Sequence, residues 1–195
     1  MNYRILFATI AAVSFHQAIA QFKSFHIEPI QNGGNVPGRT WRIYAEMTNV
    51  GDQLFVVFGD SLHTIEIGST KPFYQAPNGS ALAKDINRKQ AADIPSLRYD
   101  SWITIGAEDN YENNTSILNL NLEDFEKNGG TINSGKEGAW FCIPTHKQAY
   151  SGDDKRILLM QLTSEGRISG KLSLMGKSKD GVSYTKYDEK FECGK

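Results

Sequence analysis

Hydrophobic and polar residues alternate along much of the chain, most clearly between residues 39 and 68. The run TWRIYAEM at residues 40–47 alternates strictly, which predicts a strand with one buried face. The next run, LFVVF, is apolar throughout, which is typical of a strand covered on both faces. Turn-forming residues separate the runs. This stretch therefore predicts three strands at the centre of a sheet, at residues 40–47, 54–58 and 63–67.

The rest of the chain continues the same pattern of short apolar or alternating runs between turn signals. Only residues 81–93 have the character of a helix, and Pro95 is expected to close it. About ten strands with at most one short helix predict an all-β fold, an antiparallel β-sandwich or barrel. The further predicted strands cover residues 22–30, 101–106, 117–122, 138–144, 156–163, 168–174 and 183–193.

The first twenty residues have the three regions of a secretory signal peptide. Arg4 supplies a positive charge, residues 5–15 are apolar, and Ala18-Ile19-Ala20 places small residues at a cleavage site. The apolar stretch is too short to span a bilayer, and no later segment is long enough. We therefore expect residues 1–20 to be a signal peptide and residues 21–195 to be a single secreted β domain.

Charge excludes some partners. The chain has 21 basic and 22 acidic residues and a net charge of −1. It contains no basic cluster of the kind that binds nucleic acid, and an anionic membrane surface is equally poorly motivated. Together with the predicted signal peptide, this leaves an extracellular glycan, matrix or protein as the expected partner.

The chain contains two cysteines, Cys142 and Cys193. In an oxidising compartment the simplest expectation is a disulfide between them. Closing a loop of that length stabilises a protein by ~4 kcal/mol on the chain-entropy model. The alternatives are two free thiols or a metal site.

Three acceptor patterns for N-glycosylation are present, beginning at Asn78, Asn113 and Asn114. If the source is a eukaryote, they mark these residues as exposed loops. In a bacterial protein such triplets arise by chance.

The most conspicuous motif is Gly59-Asp60-Ser61-Leu62, which follows an apolar run. It resembles the opening block of the GDSL esterases and lipases, and that resemblance implies Ser61 as a nucleophile. The family's Gly-x-Asn-Asp and Asp-x-x-His blocks are not present downstream, and its α/β fold differs from the one predicted here. The alternative, which we favour, is that the motif simply turns the chain between two strands.

A second candidate is the loop around Glu108, Asp109 and Glu112. Oxygen ligands clustered on a loop are what Ca²⁺ requires. An EF-hand register fails, because Asn114 occupies the glycine position and Leu120 the final glutamate position. The alternative is a solvated acidic turn. His26, His63 and His146 show no zinc-ligand spacing.

The aromatic residues divide into two groups. The three tryptophans lie on predicted strands, so we expect them in the core rather than in a sugar-binding platform. Several tyrosines are better placed to be exposed and to stack on sugar rings. The first group is Trp41, Trp102 and Trp140, and the second is Tyr44, Tyr74, Tyr99 and Tyr111.

A longer pattern covers most of residues 39–163. It includes Trp41-Arg-Ile-Tyr-Ala-Glu46, Val57-Phe-Gly-Asp60, Phe73-Tyr-Gln75, Asp85-Ile-Asn87, YDSWITIGAED at 99–109 and RILLMQLT at 156–163. It resembles a group of secreted β-rich domains in marine bacteria and some eukaryotes that has no assigned activity. The resemblance implies that Phe-Gly-Asp belongs to the framework of the domain, and it implies no catalytic residues.

The sequence leads to one preferred hypothesis and two alternatives. We expect a secreted, non-enzymatic β-sandwich that binds or forms extracellular material (a glycan, a matrix or a mineral surface), with no cofactor except possible Ca²⁺ at the loop around Asp109. One alternative is an esterase that uses Ser61. The other is a secreted inhibitor or effector that binds another protein.

Overall fold

The computed structural model describes residues 21–194, so the predicted signal peptide lies outside the described residues. Within this range, eleven strands form two antiparallel sheets, as the all-β prediction requires. One sheet has the order β1-β2-β9-β5. The other is curled and has the order β6-β8-β3-β10-β4-β7, with β11 on the other edge of β10. The strands are β1 (Phe22–Ile30), β2 (Arg39–Met47), β3 (Gln53–Gly59), β4 (Glu66–Ser69), β5 (Trp102–Ile103), β6 (Ser116–Leu118), β7 (Ile132–Asn133), β8 (Gly138–Phe141), β9 (Arg156–Ser164), β10 (Ile168–Lys177) and β11 (Ser183–Cys193).

Helices are few and short, as the all-β prediction requires, but three rather than one occur among the described residues: α1 (Arg88–Asp93), α2 (Pro95–Arg98) and α3 (Glu123–Asn128). The Asn87 side chain caps α1 by accepting hydrogen bonds from the backbone N–H groups of Lys89 and Gln90. Pro95 does not simply end a helix. It occupies the first turn of α2, where its missing N–H costs no hydrogen bond.

The stretch 39–68 is not the centre of a single sheet, since β2 lies in one sheet and β3 and β4 lie in the other. Strand β11 pairs along the whole of one edge of β10. On the opposite edge, β3 pairs with residues 173–177 and β4 with residues 168–171. Residues 60–65 leave the sheet between these two pairings. The chain from 53 to 69 is therefore one interrupted strand with an external loop.

The main core fills the space between the sheets. Ile43 and Leu159 from one sheet and Val57 and Trp140 from the other are fully buried. A side chain of this size contributes roughly 1.5–3 kcal/mol when buried. A second cluster, which includes Leu97, Trp102 and Leu158, covers the outer face of the four-stranded sheet.

The core prediction for the tryptophans holds for two of them. Trp102 and Trp140 are 2% and 0% exposed. Trp41 is only half-buried.

The structure does not contain the expected disulfide, since Cys142 and Cys193 are both buried and unbonded. The strand register gives the reason. Cys193 lies opposite Ile168 of β10. The backbone N–H of Cys142 donates to the carbonyl of Phe55, which is next to the Val56–Met175 pair. Seven residues of β10 separate these levels, which is about 20 Å along a strand. A disulfide needs Cα atoms about 6 Å apart.

Candidate functional site

Loop 60–65 is built around the Asp60 side chain. Its Oδ1 accepts hydrogen bonds of 2.8 Å from the backbone N–H groups of Leu62 and His63. These two bonds lower the pKa of Asp60. The Asp60 backbone N–H also donates to the His63 carbonyl. The Gly-Asp-Ser-Leu segment therefore makes a compact turn, as its structural interpretation predicts.

Ser61 lies on this turn without the contacts of an activated nucleophile. Among the hydrogen bonds of residues 21–194, none joins Ser61 to His63. The backbone N–H of the residue after a nucleophile commonly contributes to an oxyanion hole. Here that residue is Leu62, and its N–H already binds the negatively charged Asp60 carboxylate.

The structure brings His63 to a residue 125 positions away. His63 Nδ1 lies 2.5 Å from Asp188 Oδ2. Lys171 connects this pair to β4, since its Nζ lies 3.9 Å from Asp188 Oδ1 and 3.0 Å from Glu66 Oε1. A hydrogen bond from Thr64, followed by the Lys171 contact, lowers the pKa of Glu66. A continuous chain of polar contacts thus runs from loop 60–65 to the outer face of the sheet.

This chain reaches an open cavity of about 580 Å³, which we call the outer trough. It crosses β7, β4, β10 and β11. Gly68 and Ser169 are paired across β4 and β10 and put little side-chain volume into it. One row across the sheet consists of Asn133, Glu66, Lys171 and Lys190, and the next of Gly68, Ser169 and Glu192. The residues that line the outer trough are Glu66–Gly68, Thr131–Asn133, Ser169–Lys171 and Lys190–Glu192.

The predicted Ca²⁺ ligands lie in residues 107–115, which we call the acidic loop, and each is paired with a cation of the protein. Glu108 binds Arg42 at 2.8 Å, Asp109 binds Arg88 at 2.7 Å, and Glu112 pairs with Lys147. Three carboxylates therefore have three different cationic partners. Within residues 21–194, no group of three or more His, Cys, Asp or Glu side chains is placed to hold a metal ion.

Further hydrogen bonds hold the acidic loop against the domain. The buried Gln148 donates through Nε2 to the Ile105 carbonyl and to Thr115 Oγ1, and its Oε1 accepts from the Asn114 N–H. The Tyr111 ring lies at the surface, 4.5 Å from the Arg88 guanidinium. The polar groups of the loop are thus largely satisfied within the protein.

The predicted exposure of the tyrosines is only partly correct. Tyr111 is 56% exposed, but Tyr99 is 8% exposed, and Tyr44 and Tyr74 are half-buried. Another exposed tyrosine, Tyr187, is 52% exposed and lies on β11, one of the strands of the outer trough. The alternating pattern of β11 did not single out Tyr187 as an exposed residue.

The three predicted glycosylation acceptors differ in their surroundings. Asn78 lies exposed on a turn with a φ of 67°, and Asn114 is exposed. Asn113 is half-buried, and its Nδ2 donates to the Asp109 carbonyl. Only Asn78 and Asn114 therefore fit the expectation of exposed acceptors.

Comparison of the chain with models of protein families, with curated proteins and with solved structures found no match. Function is therefore inferred from the residues of this chain. In the part of the chain that the structure describes, no helix is both long and apolar enough to cross a bilayer.

Proposed function

We propose that this is a secreted, non-enzymatic β-sandwich protein that binds an extracellular polysaccharide in the outer trough. The observation that carries the proposal is an open cavity of about 580 Å³ with a low floor at Gly68 and Ser169. Its sides combine donors and acceptors. Sugar hydroxyls both donate and accept hydrogen bonds, so a mixed set of polar side chains suits them.

The charge of the outer trough indicates the kind of polysaccharide. Two glutamates and two lysines line it, so their formal charges balance. A strongly anionic polymer would meet Glu66 and Glu192, and a polycation would meet Lys171 and Lys190. An uncharged polysaccharide avoids both penalties, and it uses the carboxylates as acceptors and the ammonium groups as donors.

Two further features support the proposal. The signal-peptide pattern of residues 1–20 favours an extracellular location, where structural polysaccharides occur. The outer trough is open along the sheet surface and is not an enclosed chamber. A polymer can therefore bind in it without threading a chain end.

The test is binding of the mature protein to a panel of neutral, acidic and basic polysaccharides. Ser169→Trp fills the floor of the outer trough, and we expect it to abolish binding. Ser24→Trp is the matched control, because Ser24 is also an exposed strand serine but lies on β1 of the other sheet. Equal binding by both variants would contradict the proposed site. If no polysaccharide binds the wild-type protein, the alternative of a protein partner takes precedence.

The His63–Asp188 pair favours a second candidate function, ester hydrolysis with Ser61 as nucleophile. A carboxylate that orients a histidine is two-thirds of a catalytic triad. A serine-reactive fluorophosphonate probe tests this candidate directly. We expect no labelling, because Ser61 does not contact His63. Labelling that disappears in Ser61→Ala would replace the binding proposal with a hydrolase.

A further inference from the structure

A β-bulge in β11 brings several functional groups to one face of the sheet. The register between β10 and β11 shifts between Leu172 and Leu174. Before the shift Thr185 lies opposite Met175, and after it Lys190 lies opposite Lys171. Strict alternation would place Tyr187 and Lys190 on opposite faces. The extra residue at the bulge lets both face outward, and bulges are known to redirect side chains near functional sites.

Asp188 is the residue that makes the bulge possible. Its φ is 53°, a left-handed conformation that is uncommon for residues other than glycine. Its N–H donates to Ser173 Oγ at 3.3 Å, and its carboxylate binds His63. Such conformations persist where the surroundings hold them in place, and they concentrate at binding sites.

The Tyr187 ring is exposed but is held in position by its neighbours. Phe58 contacts its ring edge-on, with centroids 5.8 Å apart and an interplanar angle of 82°. The His63 ring lies 4.5 Å from it, at an angle of 37°. Since Asp188 fixes His63, the ring of Tyr187 has little freedom left to lose on binding.

This aromatic surface adjoins the outer trough. Asp188 follows Tyr187 in the chain and lies 3.9 Å from Lys171, which lines the trough. A ligand that occupies the trough and extends along β11 therefore meets Tyr187 next. The carboxylate of Asp188 and the ammonium of Lys171 lie where they can bind the hydroxyls of a sugar at this position.

We propose that Tyr187 is the stacking platform for one pyranose ring of the polysaccharide, at the His63 end of the outer trough. The inference rests on the proposed function and adds a specificity to it. Stacking requires a ring with a face of C–H groups, which occurs when most hydroxyls are equatorial. The ligand class is thus a polysaccharide of equatorially substituted pyranoses, with neighbouring sugars in the trough.

The experiment compares Tyr187→Ala and Tyr187→Phe with wild type on the polysaccharide that binds best. Loss of the ring should weaken binding roughly 3- to 10-fold, whereas Tyr187→Phe should retain it, because stacking needs the ring and not the hydroxyl. Tyr150→Ala is the control, since Tyr150 is another exposed tyrosine (41%). Saturation-transfer NMR should show the strongest transfer to the C–H protons of one sugar face, lost in Tyr187→Ala.

The outcomes separate this inference from the proposed function. If Ser169→Trp abolishes binding and Tyr187→Ala does not change it, the trough stands and the stacking platform is wrong. If Tyr187→Phe weakens binding as much as Tyr187→Ala, the hydroxyl and not the ring face is responsible, and stacking is again wrong. If no polysaccharide binds wild type, both proposals fall. Circular dichroism and thermal melting confirm that each variant is folded.

Discussion

The acidic loop and the outer trough differ in how they use their polar groups. In the acidic loop, each of the three predicted ligand carboxylates binds a cation of the same protein. In the outer trough Lys171 is also ion-paired, with Glu66 at 3.0 Å, but the exposed Lys190 lies directly opposite Lys171, which carries the same charge. Each carboxylate of the acidic loop thus faces a cation of the protein, whereas Lys190 is an exposed charge beside a like charge. The acidic loop is therefore the more completely ion-paired region, and the outer trough is the region that we propose as the binding surface.

The largest expected effect on stability is at Gln148, which holds the acidic loop against the domain. Replacing Gln148 with Ala removes three hydrogen bonds, two of them buried, and deprives the Ile105 carbonyl and Thr115 Oγ1 of this donor. We expect the free energy of unfolding to fall by about 2–4 kcal/mol, as measured by urea denaturation. Gln90→Ala, at an exposed position of α1, should have little effect. If the two variants are equally stable, the acidic loop is not held as described.

Asp100 differs from the acidic residues of both regions, because it is fully buried. It accepts hydrogen bonds from the N–H groups of Ala76 and Ser80, and burial raises its pKa to about 7. Unfolded aspartate titrates near 3.9. Between about pH 4 and pH 7 the folded protein therefore binds more protons, so this residue makes stability fall as pH rises.

Asp100→Asn should destabilise the protein by about 1–3 kcal/mol, because both oxygens of the carboxyl group accept backbone hydrogen bonds, whereas an amide offers one oxygen and an NH₂ group that cannot accept. The difference in stability between wild type and the variant should narrow as pH rises from 4 to 7. Denaturation at several pH values measures it, with Asp93→Asn as an exposed control. A difference that widens with pH would show that Asp100 is charged and stabilised in the folded protein.

A smaller effect is expected at Asp109. Its carboxylate binds Arg88 and accepts a hydrogen bond from the Tyr111 N–H. Since the Arg88 side chain is 58% exposed, Asp109→Asn should cost only about 1 kcal/mol. Millimolar Ca²⁺ should leave the melting temperature of wild type unchanged. A Ca²⁺-dependent rise that is lost in Asp109→Asn but kept in Asp153→Asn would show that the predicted metal site forms.

The smallest effect is expected in the outer trough and has the opposite sign. Like charges directly opposite each other on neighbouring strands are destabilising. Lys190→Gln should therefore stabilise the protein by a few tenths of a kcal/mol, while Lys179→Gln, which removes an exposed lysine from the turn after β10, should not. Thermal melting at low ionic strength resolves the difference. Destabilisation by Lys190→Gln would mean that Lys190 makes favourable interactions within the folded protein. The outer trough would then resemble the acidic loop in this respect.

The sequence predicted much of the fold but little of the site. The alternation at residues 40–47 and the apolar run before Gly59 correspond to β2 and β3, because side-chain direction in a strand follows a period of two. The same rule fails at Asp188, where a bulge adds one residue and reverses the faces. The pattern of hydrophobic residues also did not show that α1 begins only at Arg88, because a single polar side chain, that of Asn87, sets its start.

By itself, the sequence determined the all-β class, the positions of most strands and the turn at Gly59-Asp60-Ser61. These follow from local patterns of hydrophobicity and turn-forming residues. Only the tertiary structure decided that Cys142 and Cys193 lie far apart and that His63 meets Asp188. Strand register sets such contacts, and register depends on how distant parts of the chain pack together. The outer trough is a product of register too, because its lysines and glutamates come from strands that the sequence keeps far apart.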